Sequence, residues 1–131
     1  MAQDNVELVK GGFAAYAERG VEGMLEFTAP DFELTTPPSL ASEPDTYRGE
    51  AGLRRYFDSF FEAMDSVELD GHEFFAVGDR VVVDFTLRAR GRTTGIEAEQ
   101  HAFMVWTLDG AMAHRLEIFP SKEEAISAAQ V

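Results

Sequence analysis

The sequence contains no cysteine, has few basic residues and has no long hydrophobic run. The lack of cysteine excludes disulfide bonds, thiolate metal ligands and a cysteine nucleophile. With 11 Lys and Arg against 24 Asp and Glu, the formal net charge is -13, which would repel nucleic acid and anionic lipid. No stretch approaches the roughly 20 apolar residues that a membrane-spanning helix needs. We therefore expect a soluble protein with no nucleic-acid or membrane partner.

The length and the amino terminus favour one cytoplasmic domain. MAQDNVELVKGG lacks the basic start and the continuous apolar stretch of a secretion signal. A chain of 131 residues is close to the usual size of one domain, and folding at that length buries about two-thirds of the unfolded surface. We expect a single domain over residues 1–131, located in the cytoplasm.

Helical patterns occupy the first half of the chain and its last residues. Apolar residues recur at helical spacing over 6–17 and again over 53–64, and a short helix is expected between them over 21–27. Gly20 is expected to end the first helix. Ser121, followed by acidic residues, has the form of an N-cap that opens a last helix.

Strand patterns account for most of the remainder. After Pro30, which breaks the helical pattern, apolar and polar residues alternate up to Thr36 in the manner of a half-buried strand. SLASEPDTYRG reads as a surface loop. From Val67 to Phe119 the pattern is that of a strand meander with three turn signals, at Gly78-Asp79, Thr93-Thr94 and Asp109-Gly110. Helices followed by a long antiparallel meander predict an α+β domain, a cone in which a curved sheet wraps around the helices and encloses a pocket.

The pairing of strand 80–90 predicts which residues of the next strand face inward. Its odd positions are all apolar, and its even positions are mostly polar. A two-residue turn at Thr93-Thr94 would set Arg88 opposite Glu99, so that opposite charges pair. The inward-facing side chains would then include Phe85, Gln100, Ala102, Met104 and Trp106.

The Asp109-Gly110 hairpin, which lies between two histidines, admits two registers. A two-residue turn would set Val105 opposite His114, whereas a three-residue loop would set Met104 opposite His114. The second register keeps the apolar residues inside, and we prefer it because register follows the buried face. In the first register His101 and His114 share a face but lie too far apart, and in the second they lie on opposite faces. Neither register allows a shared metal ion or a proton relay.

Glu97, Glu99 and His101 stand at alternate positions on the outer face of one strand, with Glu117 expected across from His101. Carboxylates and imidazole at such spacing can share a metal ion. Arginines lie opposite both glutamates in the predicted pairing, so a charged outer face or a dimer surface is the better interpretation. We expect no metal.

The segments of the chain follow a definite order: a helix, a short helix, APDFEL, YRGEAGLRRYF, a meander containing VWTLDG, and the closing SKEEA. This order resembles that of the SnoaL-like branch of the nuclear transport factor 2-like superfamily over nearly the whole chain. The resemblance implies a cone-shaped α+β fold, often dimeric through the outer face of the sheet. It also implies an apolar pocket, which polyketide cyclases, ketosteroid isomerases, epoxide hydrolases, dehydratases and many non-enzymes use. The resemblance by itself leaves the function open.

Catalytic residues of two enzyme types in this superfamily are not retained. The tyrosine, the general base and the second aspartate of ketosteroid isomerases fall on Phe13, on Thr36 and near Met104. Asp84 and Arg88 are the nearest match to the paired Asp and Arg of limonene epoxide hydrolases, and both are expected to point outward. We expect neither activity.

Few polar side chains are expected on the inner face. His114 is the one whose pKa suits acid-base chemistry near neutrality, so it is either a general acid/base or a histidine packed at the edge of the core. Gln100 either orients a carbonyl ligand or satisfies backbone groups, and Tyr16 either orients a ligand or packs with its hydroxyl satisfied at the rim. The expected walls of the ligand site are Phe13, Thr36, Phe85, Met104, Trp106 and Leu116.

Two hypotheses of different class follow. In the first, the protein binds a small apolar ligand, cyclic or carbonyl-bearing, and as an enzyme it would catalyse an isomerase, cyclase or dehydratase step without a cofactor. In the second, it is a non-catalytic binding or dimerisation module, a homodimer through the outer face of the sheet.

Overall fold

In a computed structural model, the described residues of the chain form a curved six-stranded sheet with helices on both faces. The structure describes residues 2–35, 46–61, 64–110 and 112–130. The helices are α1 (Ala2–Arg19), α2 (Val21–Phe27), α3 (Gly49–Phe61) and α4 (Lys122–Ala129). The strands are β1 (Thr28–Thr35), β2 (Thr46–Arg48), β3 (Met64–Val77), β4 (Arg80–Gly91), β5 (Glu97–Asp109) and β6 (Met112–Phe119). The predicted α+β class is confirmed, and none of the helices described could cross a membrane.

The sheet has the strand order β2-β1-β6-β5-β4-β3. The meander β3 to β6 is antiparallel, as predicted, but β1 lies parallel to β6. Parallel strands require a long connection, which α3 and the meander provide here. The sheet is therefore mixed.

The amino-terminal elements follow the local signals, with two corrections. Gly20 ends α1 with a φ of 65°, a left-handed conformation that glycine adopts without strain. β1 begins at Thr28, before Pro30, because its pairing with β6 is interrupted between Thr28 and Glu33 and no ladder hydrogen bond is needed there. The predicted loop also contains β2, which pairs with β1 but is too short to show a periodic pattern.

The predicted register of β4 and β5 is confirmed, including Arg88 opposite Glu99 and Phe85 opposite Ala102. The turn is longer than predicted, because Gly91 N–H donates to the carbonyl of Ile96 at 2.9 Å. Four residues rather than two therefore close the hairpin. The longer loop is centred on the same point of the chain, so the pairing does not change.

Neither predicted register of β5 and β6 is correct. Asp109 pairs with Met112, and the register then shifts so that Thr107 pairs with Arg115. His114 is left as the extra residue of a β-bulge. Beyond the bulge Trp106 lies opposite Leu116, so the apolar faces of the two strands meet after all.

The sheet separates two apolar clusters. The larger one fills the concave face beneath α1, α2 and α3. The smaller one lies on the convex face, where Ala125 and Ala129 of α4 cover Val82, Phe103 and Val105. The predicted cap of α4 is confirmed, since Glu124 N–H donates to Ser121 Oγ at 3.3 Å. The part of the convex face that α4 leaves uncovered is polar.

Candidate functional site

A cavity lies inside the cone, between the concave face of the sheet and helices α2 and α3. Its volume is about 30 Å³, room for about two water molecules. The walls are mostly Leu, Phe and Met side chains, and no charged side chain is among the lining residues that the structure describes. The interior of the cone is thus apolar, but side chains fill most of it.

The structure brings most of the predicted ligand-site residues together at this cavity and leaves others away from it. Phe85, Gln100, Met104, Trp106 and Leu116 all line the cavity. Phe13, Tyr16 and His114 do not, and Thr36 lies outside the described residues. Phe13 instead packs edge-on against Phe74 of β3, with ring centroids 5.1 Å apart.

The cavity runs from a partly exposed mouth to a closed deep end. Leu69, Leu87 and Gln100 pair across β3, β4 and β5 and form the mouth. Trp106, only 1% exposed, lies at the deep end. It is six residues beyond Gln100 on the same strand, or about 20 Å at the usual rise. One small molecule therefore cannot place a single polar atom against both.

The deep end contains a buried donor without an acceptor. The Trp106 ring lies near the rings of Phe27 and Phe32, at centroid distances of 5.5 and 6.3 Å. Its Nε1 is buried, and within the described part of the chain it has no hydrogen-bond partner. The sequence pattern placed this indole inside the cone, but it held no signal about the state of the N–H group.

Tyr56 is a cavity residue that the sequence analysis did not propose. It projects from α3 into the lining, and its ring contacts Tyr47 and Phe57 at centroid distances of 5.2 and 5.4 Å. Burial raises the pKa of Tyr56 well above its usual value. The hydroxyl is therefore neutral at physiological pH. The sequence did contain a signal that could have identified Tyr56 as a cavity residue. Tyr56 belongs to the apolar stripe of α3, and such a stripe faces the core.

Tyr16 serves packing rather than the cavity. Its hydroxyl donates to the backbone carbonyl of Val67 at 3.0 Å, and its ring stacks on Phe57 with centroids 5.3 Å apart. Burial raises the pKa of Tyr16 to about 12. The side chain thus ties α1 to β3, the edge strand of the sheet.

A Tyr16→Phe substitution should lower the free energy of unfolding by about 1 kcal/mol, because the carbonyl of Val67 loses its donor. It should also change the response to alkaline pH. The folded-state pKa is above the unfolded one, so Tyr16 stabilises the fold fully below about pH 10 and loses that contribution as pH rises toward 12. Urea unfolding from pH 8 to 11 should show a shallower decline in the variant. Parallel declines would contradict the assignment.

His114 lies at the bulge of β6, and its Nδ1 is 3.0 Å from Oδ1 of Asp31 in β1. The predicted pairing with Met104 is wrong, because the bulge moves His114 out of the alternation that carries Leu116 inward. The cavity lining does not include it.

The two other histidines lie on the polar part of the convex face. His101 hydrogen-bonds to Asp84, and His72 Nε2 is 2.7 Å from Oγ1 of Thr86. The expected neighbour of His101 was Glu117, which instead pairs with Val105. His101 thus lies beside Asp84, whereas His114 lies beside Asp31.

Arginines hold the acidic residues of this face in ion pairs. Arg88 donates to Asp70 at 2.6 Å and to Glu99 at 3.0 Å. The first of these hydrogen bonds keeps the pKa of Asp70 below its usual value. Across residues 2–35, 46–61, 64–110 and 112–130, no three His, Asp or Glu side chains are grouped so that they could hold a metal ion.

Comparison with known proteins finds the same fold. TerC, in a crystal structure with polyporic acid, is 26% identical and aligns over 94% of this chain and 98% of its own, with a TM-score of 0.77. An NTF2-like (nuclear transport factor 2-like) protein of unknown function from Burkholderia pseudomallei K96243 is 24% identical over 97% and 98%, with a TM-score of 0.76. One from Burkholderia xenovorans LB400 is 26% identical over 100% and 98%, with a TM-score of 0.70.

A family model resolves which branch of this fold the chain represents. No curated protein matches the chain. The model of the SnoaL-like domain matches residues 9–115, which include the whole sheet up to the bulge of β6. Since that match covers most of the chain and agrees with the cone of helices and sheet, the protein belongs to the SnoaL-like domain family.

Proposed function

We propose that this protein binds a small, largely apolar and uncharged molecule in the cavity of the cone. The observation that carries the proposal is the chemistry of the walls. The described lining contains no charged side chain, and its polar groups belong to Tyr56, Gln100 and Trp106. Burying a charged ligand there would cost several kcal/mol without a counter-charge. A ligand with apolar surface and a few hydrogen-bonding atoms would meet no such cost.

Ligand entry requires the walls to move. Sites for drug-sized molecules usually measure about 300–1,000 Å³, whereas the cavity measures about 30 Å³. Met24 and Met104 belong to the walls, and methionine adapts readily because its side chain is unbranched. Leu69 and Leu87 at the mouth are partly exposed and can turn toward solvent. The crystal structure of TerC with polyporic acid supports small-molecule binding by this fold.

The lining favours binding and orientation over proton abstraction. An isomerase, cyclase or dehydratase step would need a group that takes up a proton. The phenol of Tyr56 is protonated near neutrality, and its raised pKa extends that state further into the alkaline range, so it is a poor base. Gln100 is not titratable. We therefore favour the second hypothesis, in which the protein is a non-catalytic binding module. From the first hypothesis we keep the small apolar ligand.

Thermal unfolding with a panel of small molecules tests the proposal. Apolar, uncharged compounds should raise the melting temperature, since a ligand at a hundred times its Kd stabilises the native state by about 2.7 kcal/mol. Carboxylates and amines of matched size should not. A panel in which only charged compounds stabilise the protein would refute the proposal.

A His114→Ala substitution should leave ligand binding unchanged within a factor of about two, because the imidazole is bonded to Asp31 outside the cavity lining. The loss of this partly exposed ion pair should cost less than about 1 kcal/mol of stability. Isothermal titration of the best panel compound measures the first effect, with Asp31→Asn as the matched control. A tenfold loss of affinity in His114→Ala alone would reinstate His114 as a ligand-site residue.

Dimerisation through the outer sheet face stays a prediction. The uncovered part of this face is charged, and Arg88 is bonded to acidic residues of its own chain. A dimer formed there would have a polar interface whose strength falls with salt.

A further inference from the structure

The indole N–H of Trp106 is the least explained polar group of the cavity. The residue is 1% exposed and lines the cavity, and Nε1 has no acceptor among the described residues. Leaving a buried donor unpaired destabilises the folded state, because the group has lost its hydrogen bonds to water. Most such groups in native proteins are paired, so an orphan that faces no solvent calls for a partner that the described residues do not supply.

The surroundings of Trp106 indicate what that partner is. An indole N–H can only donate, so the partner must be an acceptor. The rings of Phe27 and Phe32 lie beside the indole, and the ladder partners of Trp106 are Val81 and Leu116, so these four side chains are all apolar. A buried water needs two to four polar partners, and these side chains offer none. An oxygen atom that belongs to an otherwise apolar molecule satisfies the donor and the apolar walls together.

We propose that Trp106 is the specificity-determining donor of the ligand site, and that the ligand carries an uncharged acceptor oxygen, such as a ketone, aldehyde or ester carbonyl, at its buried end. This inference rests on the proposed function, because it needs a ligand in the cavity. It adds an orientation, with the carbonyl at Trp106 and the apolar body extending toward the mouth at Leu69 and Leu87. Gln100 is too far along β5 to contact the same atom.

A matched pair of probes tests the hydrogen bond. Acetophenone and α-methylstyrene have nearly the same shape, but only acetophenone has a carbonyl oxygen. Because the chain has one tryptophan, the indole N–H gives a single NMR cross-peak in ¹⁵N-labelled protein. We expect acetophenone at saturation to move the indole proton farther downfield than α-methylstyrene does, because the two probes carry the same aromatic ring and only acetophenone can accept a hydrogen bond.

Affinities for the two probes give an independent readout. The ratio of acetophenone affinity to α-methylstyrene affinity should fall roughly two- to tenfold in Trp106→Phe, the loss expected for one hydrogen bond. The control is Leu116→Val, which alters the wall opposite Trp106 and keeps the indole. Both affinities should change together in that variant, so that their ratio is preserved.

The outcomes separate this inference from the proposed function. If both probes bind the wild-type protein but acetophenone causes no larger downfield shift than α-methylstyrene does, the indole is not a ligand donor, while binding in the cavity stands. An unchanged affinity ratio in Trp106→Phe has the same meaning. If neither probe binds, the proposed function fails for this ligand class and the inference fails with it. Should Trp106→Phe not fold, the wild-type cross-peak alone decides.

Discussion

Replacing Trp106 with alanine is expected to lower the free energy of unfolding by about 3–5 kcal/mol, a large share of the ~5–15 kcal/mol typical of one domain. The side chain is 1% exposed and packs against Phe27 and Phe32. Its loss leaves a void that joins the existing cavity, and the surrounding sheet and helices can close it only in part. The expected result is a marginally stable protein at 25 °C.

Urea unfolding followed by far-ultraviolet circular dichroism measures this effect, because the variant has no tryptophan fluorescence. Ile96→Ala is the matched control. Ile96 is 68% exposed in the loop between β4 and β5, so its truncation should change stability by less than about 0.5 kcal/mol. If Trp106→Ala cost no more than Ile96→Ala, the indole could not be the centre of the core.

Substituting Ala102 with leucine is expected to abolish ligand binding, with at least a tenfold loss of affinity for any compound that stabilises the wild-type protein. Ala102 is 2% exposed and lines the cavity between its mouth and its deep end. The larger side chain would occupy the remaining space, which is about 30 Å³. It would also strain the packing, at a cost of about 1–3 kcal/mol in stability.

Ala98→Leu separates loss of the cavity from a general effect on β5. Ala98 lies four residues earlier on the same strand, but it is exposed and does not line the cavity. Isothermal titration should therefore show unchanged affinity for Ala98→Leu. Retained binding by folded Ala102→Leu would place the ligand site elsewhere on the molecule, and the proposed function would have to be abandoned.

The sequence was informative wherever a local rule and the buried face agreed. The alternation of β4 gave the inner face, and complementary pairs such as Arg88 with Glu99 confirmed the register of β5. That register placed Phe85, Gln100, Met104 and Trp106 on the inner face, and all of them line the cavity. These predictions succeeded because side chains in a strand alternate strictly between the two faces.

His114 shows where such reasoning stops. Both registers considered for its hairpin assumed an uninterrupted ladder, and the bulge at His114 breaks that assumption. A bulge adds one residue to one strand. The side chains that precede it on that strand therefore lie on the opposite face of the sheet from the one that an uninterrupted ladder would give them. Nothing in the local sequence distinguishes a bulge at this position from a different turn length, because either keeps Leu116 and Ile118 inside.

The sequence by itself determined the fold class, the apolar lining of the cone and the charged convex face, because each depends on periodicity along single elements. The tertiary structure alone decided that the cavity is small, that His114 lies beside Asp31 outside its described lining, and that the N–H of Trp106 is buried without an acceptor among the residues that the structure describes. Those properties depend on how α2, α3 and five strands close around one space. Packing and hydrogen bonding between elements distant in the chain are not encoded in the pattern of any one of them.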